Sequence, residues 1–272
     1  MSKTDLRASS QLIKKASLMG AFFIGLLSSA LVSAACPLPG RLPVYDVERV
    51  VDGDTLRLTN GRSVRLIGLN TPEMAHQGRA VEPYAVKAKQ RLEQLVDASD
   101  GQLALQVGVP AKDHYGRTLA HAYDRYGLNL EAQMLAEGLG YQVAFAPVTA
   151  LVDCQQAAEL SARKASLGLW RKPQWQKPEQ LARGGFALIR GKVLRVERNR
   201  GGIWLEMGDS LVLQVKPKLF AQFDIEALQA LAGQQVEVRG WVVDRSQRGQ
   251  LNPGQARWLL PITAAVMLEE VQ

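Results

Sequence analysis

The chain has 272 residues and a formal net charge of +7, from 33 Lys and Arg side chains against 26 Asp and Glu side chains. Hydrophobic residues make up 47% and charged residues 22%, which excludes a mostly disordered chain, a collagen-like repeat and a protein with many membrane spans. Two cysteines exclude a disulfide-dense scaffold and a four-cysteine zinc site. The length predicts two domains, and the basic balance is compatible with an anionic partner.

Residues 1–35 have the pattern of a secretory signal peptide. A lysine pair precedes an uncharged stretch from Ala16 to Ala35, which ends in small residues. We therefore expect cleavage after Ala34 or Ala35 and export, either to a periplasm or out of the cell. Two alternatives stay open. One is an uncleaved membrane anchor, since about 20 uncharged residues can just span a bilayer. The other is a lipoprotein that begins at Cys36. After cleavage we expect a monomer with no stable membrane association.

The next part of the chain, residues 36–170, is predicted to form the first folded domain. Alternating apolar residues predict three strands within residues 43–69, and Asn60-Gly61 predicts the hairpin turn between the second and third strands. Further along, apolar spacing predicts a helix, two strands and two more helices. Their expected ranges are 82–96 for the helix, 103–107 and 118–123 for the strands, and 128–139 and 150–165 for the last two helices.

Residues 171–185 are polar and bounded by proline and glycine, which predicts a linker. Beyond it, residues 186–272 show five strand patterns with a short helix at 225–231 between the third and fourth. That order is typical of an OB-type barrel, so we expect a second, smaller OB-like domain. The strand patterns cover residues 187–197, 203–207, 211–215, 236–243 and 264–269. The arginines of this second domain, together with Trp204 and Trp241, fit two arrangements. In one they form a surface that binds single-stranded nucleic acid. In the other the tryptophans lie in the core and the arginines form a solvated rim.

The two cysteines lie far apart in the sequence. Cys36 begins the expected mature chain, and Cys154 lies in the third predicted helix of the first domain. Outside the cytoplasm a disulfide can persist, so we expect a bridge that pins the N-terminus to this helix. The alternative is two unrelated thiols. The three histidines lack metal-ligand spacing, and we expect them in loops or at the surface.

Polar residues suited to phosphodiester chemistry lie in three short segments of the first domain. These segments are Asp52-Gly53-Asp54-Thr55, Arg65 with Asn70-Thr71-Pro72-Glu73, and Asp113-His114-Tyr115-Gly116-Arg117. Carboxylate and amide oxygens are calcium ligands, arginines bind phosphate with forked hydrogen bonds, and a glutamate can take a proton from water. Each segment alone also fits an ordinary turn or an exposed hairpin tip. Together they indicate metal-assisted hydrolysis of a phosphodiester.

The stretch from Val47 to Trp170 resembles the staphylococcal nuclease, or thermonuclease, family. Val-Val-Asp-Gly-Asp-Thr, Arg-Leu followed by Thr-Pro-Glu, Asp-x-Tyr-Gly-Arg and a Leu-x-Leu-Trp ending carry the resemblance, in matching order and spacing. It implies a five-stranded OB-type barrel with three helices, so the whole chain is expected to be mainly β with α, an α+β fold. It also implies a calcium-dependent, sugar-nonspecific endonuclease that cleaves DNA and RNA and leaves 3′-phosphate ends. With the leader pattern, we expect this nuclease to be exported.

The resemblance also implies roles for individual residues. Glu73 would be the general base, while Arg65 and Arg117 would bind the scissile phosphate. One calcium ion would be held by Asp54, by Asn70 and by the backbone carbonyl of Thr71. Three further residues have supporting roles. These are Asp52 behind the metal ligands, and Tyr115 and Phe145 beside the nucleotide.

One position departs from the family pattern. The second calcium-binding aspartate of the family falls at Asn70, whose amide oxygen can ligate calcium but brings no charge. We therefore expect weaker calcium binding than in the family. The departure also keeps an alternative function open, a non-catalytic nucleic-acid-binding protein with a degenerate nuclease site. A third alternative, a protein in which both barrels are only scaffolds, conflicts with the presence of Arg65, Glu73 and Arg117.

Overall fold

The structure is a computed structural model that describes residues 36–75, 78, 80–147 and 150–271. The predicted leader, residues 1–35, lies outside these residues. The described chain forms one compact unit that contains a closed five-stranded barrel and a mixed eight-stranded sheet.

No helix among the described residues is long and apolar enough to cross a membrane.

The first half of the chain folds into a closed five-stranded barrel with three helices. Its elements in chain order are β1 (Val44–Asp52), β2 (Thr55–Leu58), β3 (Ser63–Leu66), β4 (Leu69–Asn70), α1 (Ala85–Asp97), β5 (Gln102–Lys112), β6 (Thr118–Tyr123), α2 (Leu130–Ala136), β7 (Tyr141–Gln142) and α3 (Val152–Lys164). The barrel closes in the order β1-β2-β3-β6-β5, and β3 and β6 are parallel neighbours. The predicted barrel with three helices is therefore confirmed. The short antiparallel pair β4–β7 is an addition that the apolar pattern did not indicate.

Sequence patterning explains why these strands close on a core. Leu56 and Leu58 alternate along β2, Val64 and Leu66 alternate along β3, and all four are buried inside the barrel. Gly61, with a φ of +81°, makes the turn between the two strands, as Asn60-Gly61 predicted. The arginine between the two buried residues of β3 must therefore point to the other face of the strand.

The second half of the chain adds a mixed sheet of eight strands. Its elements are β8 (Trp175–Gln176), β9 (Gly185–Lys192), β10 (Arg195–Asn199), β11 (Gly202–Met207), β12 (Leu211–Val215), α4 (Ile225–Ala230), β13 (Gln235–Asp244), β14 (Trp258–Pro261) and β15 (Leu268–Glu270). The order is β10-β11-β12-β14-β13-β9-β8, with β12 and β14 parallel and β15 beside β13.

One bent strand brings the two edges of this sheet together. β9 continues into β10 through Val193 and Leu194. The Val193 amide donates to the carbonyl of Gln234 at 2.9 Å, whereas the Leu194 amide donates to the carbonyl of Glu206 at 2.8 Å. The chain thus changes from pairing beside β13 to pairing beside β11 within two residues. This bend gives the second half an OB-like barrel, as the element order predicted.

Two details of the second half differ from the sequence predictions. The fifth strand of the barrel is β14, whereas residues 264–269 were predicted; there the chain forms a 3-10 turn followed by the edge strand β15. Pro261 ends β14 after four residues, and so short a pattern with a proline resembles a loop. The segment predicted as a linker, residues 171–185, contains β8, which pairs in parallel with β9.

Candidate active site

The turn between β1 and β2 carries the most buried acid of the site. Asp54 is only 4% exposed. Its Oδ2 accepts hydrogen bonds from the backbone N–H of Thr71 at 2.8 Å and from the Thr71 hydroxyl at 3.0 Å. Its Oδ1 accepts from the Thr55 hydroxyl at 3.1 Å, and Asp52 accepts from the Asp54 amide at 3.0 Å. These bonds fix the first turn against the segment that follows β4.

Two glycines allow this close approach, and the sequence analysis did not assign either to the site. A Cβ on Gly53 would lie 2.7 Å from the Cβ of Ala88 and 2.8 Å from the hydroxyl oxygen of Thr71. A Cβ on Gly140 would lie 2.4 Å from a methyl carbon of Leu69. At Gly53 the neighbours include Cβ atoms fixed to the backbone, so the chain or helix α1 would have to move, whereas at Gly140 the Leu69 side chain would have to change its rotamer. The glycine inside Asp-Gly-Asp was the available signal for the first of them.

Arg65 links the two predicted metal-binding side chains. It forms an ion pair with Asp54 and donates from Nη2 to the amide oxygen of Asn70 at 3.1 Å. Burial lowers the pKa of Arg65 to about 10, although the charge of Asp52 acts in the opposite direction. The guanidinium stays protonated at neutral pH and holds the β1–β2 turn and the end of β4 at one place.

Asp52 and Glu73, the two other carboxyl groups of the cluster, both have a raised pKa, which favours the neutral form. Burial raises the pKa of Asp52, against the lowering effect of Arg65. The Glu73 residue is exposed as a whole, but desolvation of its carboxylate raises its pKa, and the charge of Asp52 adds to the rise. A carboxylate with a raised pKa is a better proton acceptor than an ordinary glutamate, which suits a general base.

Arg117 enters the site from the hairpin between β5 and β6. Its Nε donates to Oδ2 of Asp113 at 2.7 Å, while Oδ1 of Asp113 accepts from the backbone amides of Tyr115 and Arg117 at 3.0 and 2.9 Å. Burial alone would raise the pKa of Asp113, but the hydrogen bonds from Arg117 outweigh it and lower the pKa. The positive charge of Arg117 also acts on Asp52 and Arg65. The hairpin therefore presents a second arginine to the same cluster.

The two aromatic residues expected beside the nucleotide lie in different surroundings. The Tyr115 ring is 74% exposed at the hairpin tip, and the Arg117 guanidinium lies 5.4 Å from its centroid. Phe145 is 48% exposed and packs 5.3 Å from Trp241 of the second barrel. That contact belongs to a row of rings that continues from Trp241 to Phe186 and Tyr141.

Cys36 and Cys154 are joined by a disulfide, with their Cα atoms 5.3 Å apart. The bond attaches the residues before β1 to α3.

The prediction that histidines lie in loops or at the surface is wrong for His121. This residue is 3% exposed on β6, and its Nδ1 lies 3.3 Å from a carboxylate oxygen of Glu131. Helix α2 covers this strand, so both faces of β6 are buried, which a single-strand pattern did not reveal. His114 is a hairpin residue whose ring lies 3.7 Å from that of Tyr115. His76 lies outside the described residues.

The oxygen donors of the site fit a hard cation. They comprise the carboxylate of Asp54, the amide oxygen of Asn70 and the backbone carbonyl of Thr71, all donor types that calcium takes. Within the described residues, no group of three or more His, Cys, Asp or Glu side chains is arranged to hold a metal. In the present state Arg65 already binds both Asp54 and Asn70. A cation at these oxygens therefore has to share them with, or displace, the guanidinium.

The structure thus brings most of the predicted site residues into one cluster at the end of the first barrel. Residues with direct hydrogen bonds or ion pairs in it are Asp52, Asp54, Arg65, Asn70 and Thr71. Glu73 and Arg117 act on the same cluster through their charges. Two cations, a carboxylate of raised pKa and a set of hard oxygen donors can together bind a phosphate and activate water.

Known proteins resemble the same part of the chain. The chain is 35% identical over 131 residues to the SPbeta prophage-derived endonuclease YokF of Bacillus subtilis, covering 46% of this chain and 43% of that protein. It is 34% identical over 131 residues to endonuclease YncB of the same organism, covering 46% of this chain and 61% of YncB. Against the thermonuclease of Staphylococcus intermedius, identity is 29% over 131 residues, with 47% and 76% covered.

The chain therefore spans about half the length of the two Bacillus relatives. The family model described as staphylococcal nuclease homologue matches residues 63–172, which begin at β3 and end just after α3 and its 3-10 turn. This range contains Arg65, Glu73 and Arg117, and the closed five-stranded barrel agrees with the resemblance seen in the motifs. Residues 63–172 of this chain are therefore similar to the staphylococcal nuclease homologue family.

Proposed function

We propose that this chain is an exported, calcium-dependent endonuclease that hydrolyses phosphodiester bonds of DNA and RNA without regard to the sugar. The observation that carries the proposal is that Arg65 pairs with the buried carboxylate of Asp54 while the charges of Arg117 and Glu73 act on the same guanidinium. Similarity to proteins named endonuclease and thermonuclease supports the same chemistry.

Each residue of the cluster has a distinct task in this reaction. Arg65 and Arg117 bind the non-bridging oxygens of the scissile phosphate and stabilise the negative charge that grows there in the transition state. Glu73 takes a proton from the water that attacks phosphorus, and the bond to the 5′-oxygen breaks, so that the phosphate stays on the 3′ end. Asp54, Asn70 and Thr71 would hold calcium. Bound calcium supplies positive charge beside the phosphate.

A nuclease assay of the chain that begins at Cys36 tests this proposal. We expect cleavage of DNA and RNA with calcium, loss of cleavage with a calcium chelator, and loss of cleavage in Glu73→Gln at saturating calcium. Glu93→Gln changes a half-buried residue of α1 that pairs with Lys89; it is the matched control and should leave the rate unchanged. Cleavage that persists in the chelator or in Glu73→Gln would contradict the mechanism.

One observation favours a second candidate, a nucleic-acid-binding protein without catalysis. Asn70 replaces a charged ligand, and Arg65 already occupies Asp54 and Asn70. The two candidates separate cleanly in one experiment. Retention of labelled oligonucleotide without cleavage at millimolar calcium supports the binding protein, and cleavage supports the enzyme.

Export is the second part of the proposal. It is supported by the leader pattern of residues 1–35 and by the Cys36–Cys154 disulfide, because disulfides persist in oxidising compartments. Fractionation of cells that express the full chain tests it. Recovery of a shortened protein beginning near Cys36 in the periplasm or medium is expected, whereas full-length protein retained in membranes would support the anchor instead.

A further inference from the structure

Helix α3 connects the candidate site to the second barrel through a single stripe of polar residues. Gln155, Glu159 and Arg163 follow one another at four-residue spacing, so they lie along one face of the helix. Gln155 and Glu159 are both 1% exposed. Buried polar groups require partners, and the residues of this stripe find theirs before β4, on β7 and on strands β13 and β15.

The site side of the stripe supports the segment that carries Asn70 and Thr71. Gln155 donates from Nε2 to the carbonyl of Ile67 at 3.3 Å, just before β4. The carboxylate of Glu159 accepts the backbone N–H of Gln142 at 2.7 Å. Gln142 is fully buried on β7, and β7 pairs with β4 in the register that places Tyr141 opposite Asn70.

The other side of the stripe rests on the second barrel. Arg239 of β13 is 3% exposed and donates to the second carboxylate oxygen of Glu159 at 2.5 Å and to Glu269 at 3.2 Å. Arg163 donates to Glu237 at 2.6 Å and to Glu269 at 2.8 Å. Two arginines and three glutamates from both barrels thus form one network, in which Glu159, Glu237 and Arg239 are buried and Arg163 and Glu269 are partly exposed.

We infer that Arg239 of the second barrel is a positioning residue for the nuclease site. Arg239 fixes the Glu159 carboxylate, Glu159 holds the backbone of β7 through Gln142, and β7 sets the position of β4 and therefore of Asn70 and Thr71. The second barrel is then part of the working nuclease unit. This inference deepens the proposed function and rests on it.

A pair of double variants separates positioning from stability. Removing one partner of a buried ion pair is strongly destabilising, but replacing both by uncharged residues is often neutral. In Glu159→Gln/Arg239→Met the amide oxygen of residue 159 still accepts from Gln142 N–H. In Glu159→Leu/Arg239→Met the charges are removed equally but that acceptor is lost. Arg190→Met is the control at the same interface, because Arg190 pairs with Glu237 and is half exposed.

The readouts are the calcium dissociation constant from titration calorimetry, kcat and KM, and hydrogen exchange of residues 67–72. We expect Arg190→Met to match the wild type. The Gln/Met variant should bind calcium about threefold more weakly, because residue 159 still accepts from Gln142 N–H but is no longer held by Arg239. A Gln/Met variant equal to the wild type would overturn the role of Arg239. The Leu/Met variant should bind calcium about tenfold more weakly and exchange faster at residues 67–72, with KM for nucleic acid unchanged. Equal calcium binding and equal exchange in the two double variants would overturn the inference.

Two further measurements keep the test decisive. If the Leu/Met variant does not fold, Arg239→Lys replaces it, since lysine keeps the charge but cannot bridge Glu159 and Glu269 as a planar fork. A several-fold weaker calcium affinity supports the inference, and an unchanged affinity overturns it. A wild-type chain that neither binds calcium nor cleaves would refute the proposed function alone, because the exchange comparison of the double variants would still report on positioning.

Discussion

In both barrels the strands follow the same order, with the third strand parallel to the fifth: β3 beside β6 in the first, β12 beside β14 in the second. Each barrel also has an arginine directly before its fifth strand that binds an aspartate at the end of its fourth. These pairs are Arg117–Asp113 and Arg257–Asp244. The features that the two barrels share therefore include the position of Arg117, one of the two arginines of the candidate site.

The barrels differ at the neighbouring positions. Arg65 lies opposite Leu119 in the first barrel, and the same register in the second places Val212 opposite Leu259. The first turn is Asp-Gly-Asp in one barrel, whereas residues 199–202 of the other read Asn-Arg-Gly-Gly. An arginine before the fifth strand is thus compatible with two different surfaces. The chemistry depends on the side chains of the first turn and the third strand, which the fold alone does not specify.

The largest expected difference between the barrels concerns their matched arginines. Arg117→Ala should lower kcat about 10²- to 10³-fold, because a positioned donor to the transition-state charge is lost. Arg257→Ala should leave kcat unchanged, since the second barrel has no counterpart of Arg65. Steady-state kinetics on one DNA substrate measures both. Equal losses in the two variants would mean that the second barrel shares the chemistry.

The disulfide lies entirely within the first barrel and its helices. It links residues 118 positions apart, so replacing both cysteines by serine should lower the free energy of unfolding by about 2–4 kcal/mol. Hydrogen exchange measured by region should show the loss in β1–β6 first. A uniform loss of protection across β1–β6 and β9–β14 would show instead that the two barrels unfold as one unit.

The first turns of the two barrels should respond differently to a single methyl group. Gly53→Ala places a Cβ against Ala88 and Thr71 and should cost about 1–3 kcal/mol of stability, with a fall in kcat because Thr71 moves. Gly201→Ala meets the Trp204 side chain at 3.0 Å and lies at an exposed turn, so kcat should not change. Chemical denaturation and kinetics on both variants test this contrast. Full activity in Gly53→Ala would show that the close approach is not required.

Calcium dependence offers a smaller contrast. Asn70→Asp adds a charged ligand and should lower the calcium concentration for half-maximal activity by about tenfold, or about 1.4 kcal/mol. Asn199→Asp in the second barrel should have no effect, since Asn199 accepts from the Trp204 ring N–H at 2.9 Å and an aspartate can do the same. An unchanged calcium requirement in Asn70→Asp would show that calcium binding does not limit the reaction.

The smallest expected effect is on the titration of the two paired aspartates. Hydrogen bonds from Arg257 and Ser246 lower the pKa of Asp244, and those from Arg117 lower the pKa of Asp113 against the effect of burial. A lowered folded-state pKa stabilises the fold above the unfolded value of about 3.9, and this stabilisation is lost as pH falls through the folded value. Arg257→Ala should raise only the pKa of Asp244, and Arg117→Ala only that of Asp113. Carboxyl NMR titrations of both variants check this; a change in both aspartates from one substitution would contradict it.

Local sequence was sufficient for the first barrel and for most of the site. Strand alternation, the Asn60-Gly61 turn and the Asp-Gly-Asp and Thr-Pro-Glu segments depend on neighbours within a few residues, and they predicted where the site residues lie. The β4–β7 pair, the bend at Val193 and the partner of Glu159 depend on distant contacts. Arg239 is 80 positions from Glu159, and no local pattern relates them. The strand β14 was missed because four residues ending in Pro261 carry too little periodicity.

The apolar packing around Trp170 also bears on the smallest piece of this chain that we expect to stay in solution. The matched family region ends at residue 172, before Phe186 and Leu188. A chain cut at that point would expose the apolar surface around Trp170. Such a fragment would have an exposed apolar patch and would tend to self-associate. The barrel that carries the site therefore needs its neighbour for solubility as well as for support.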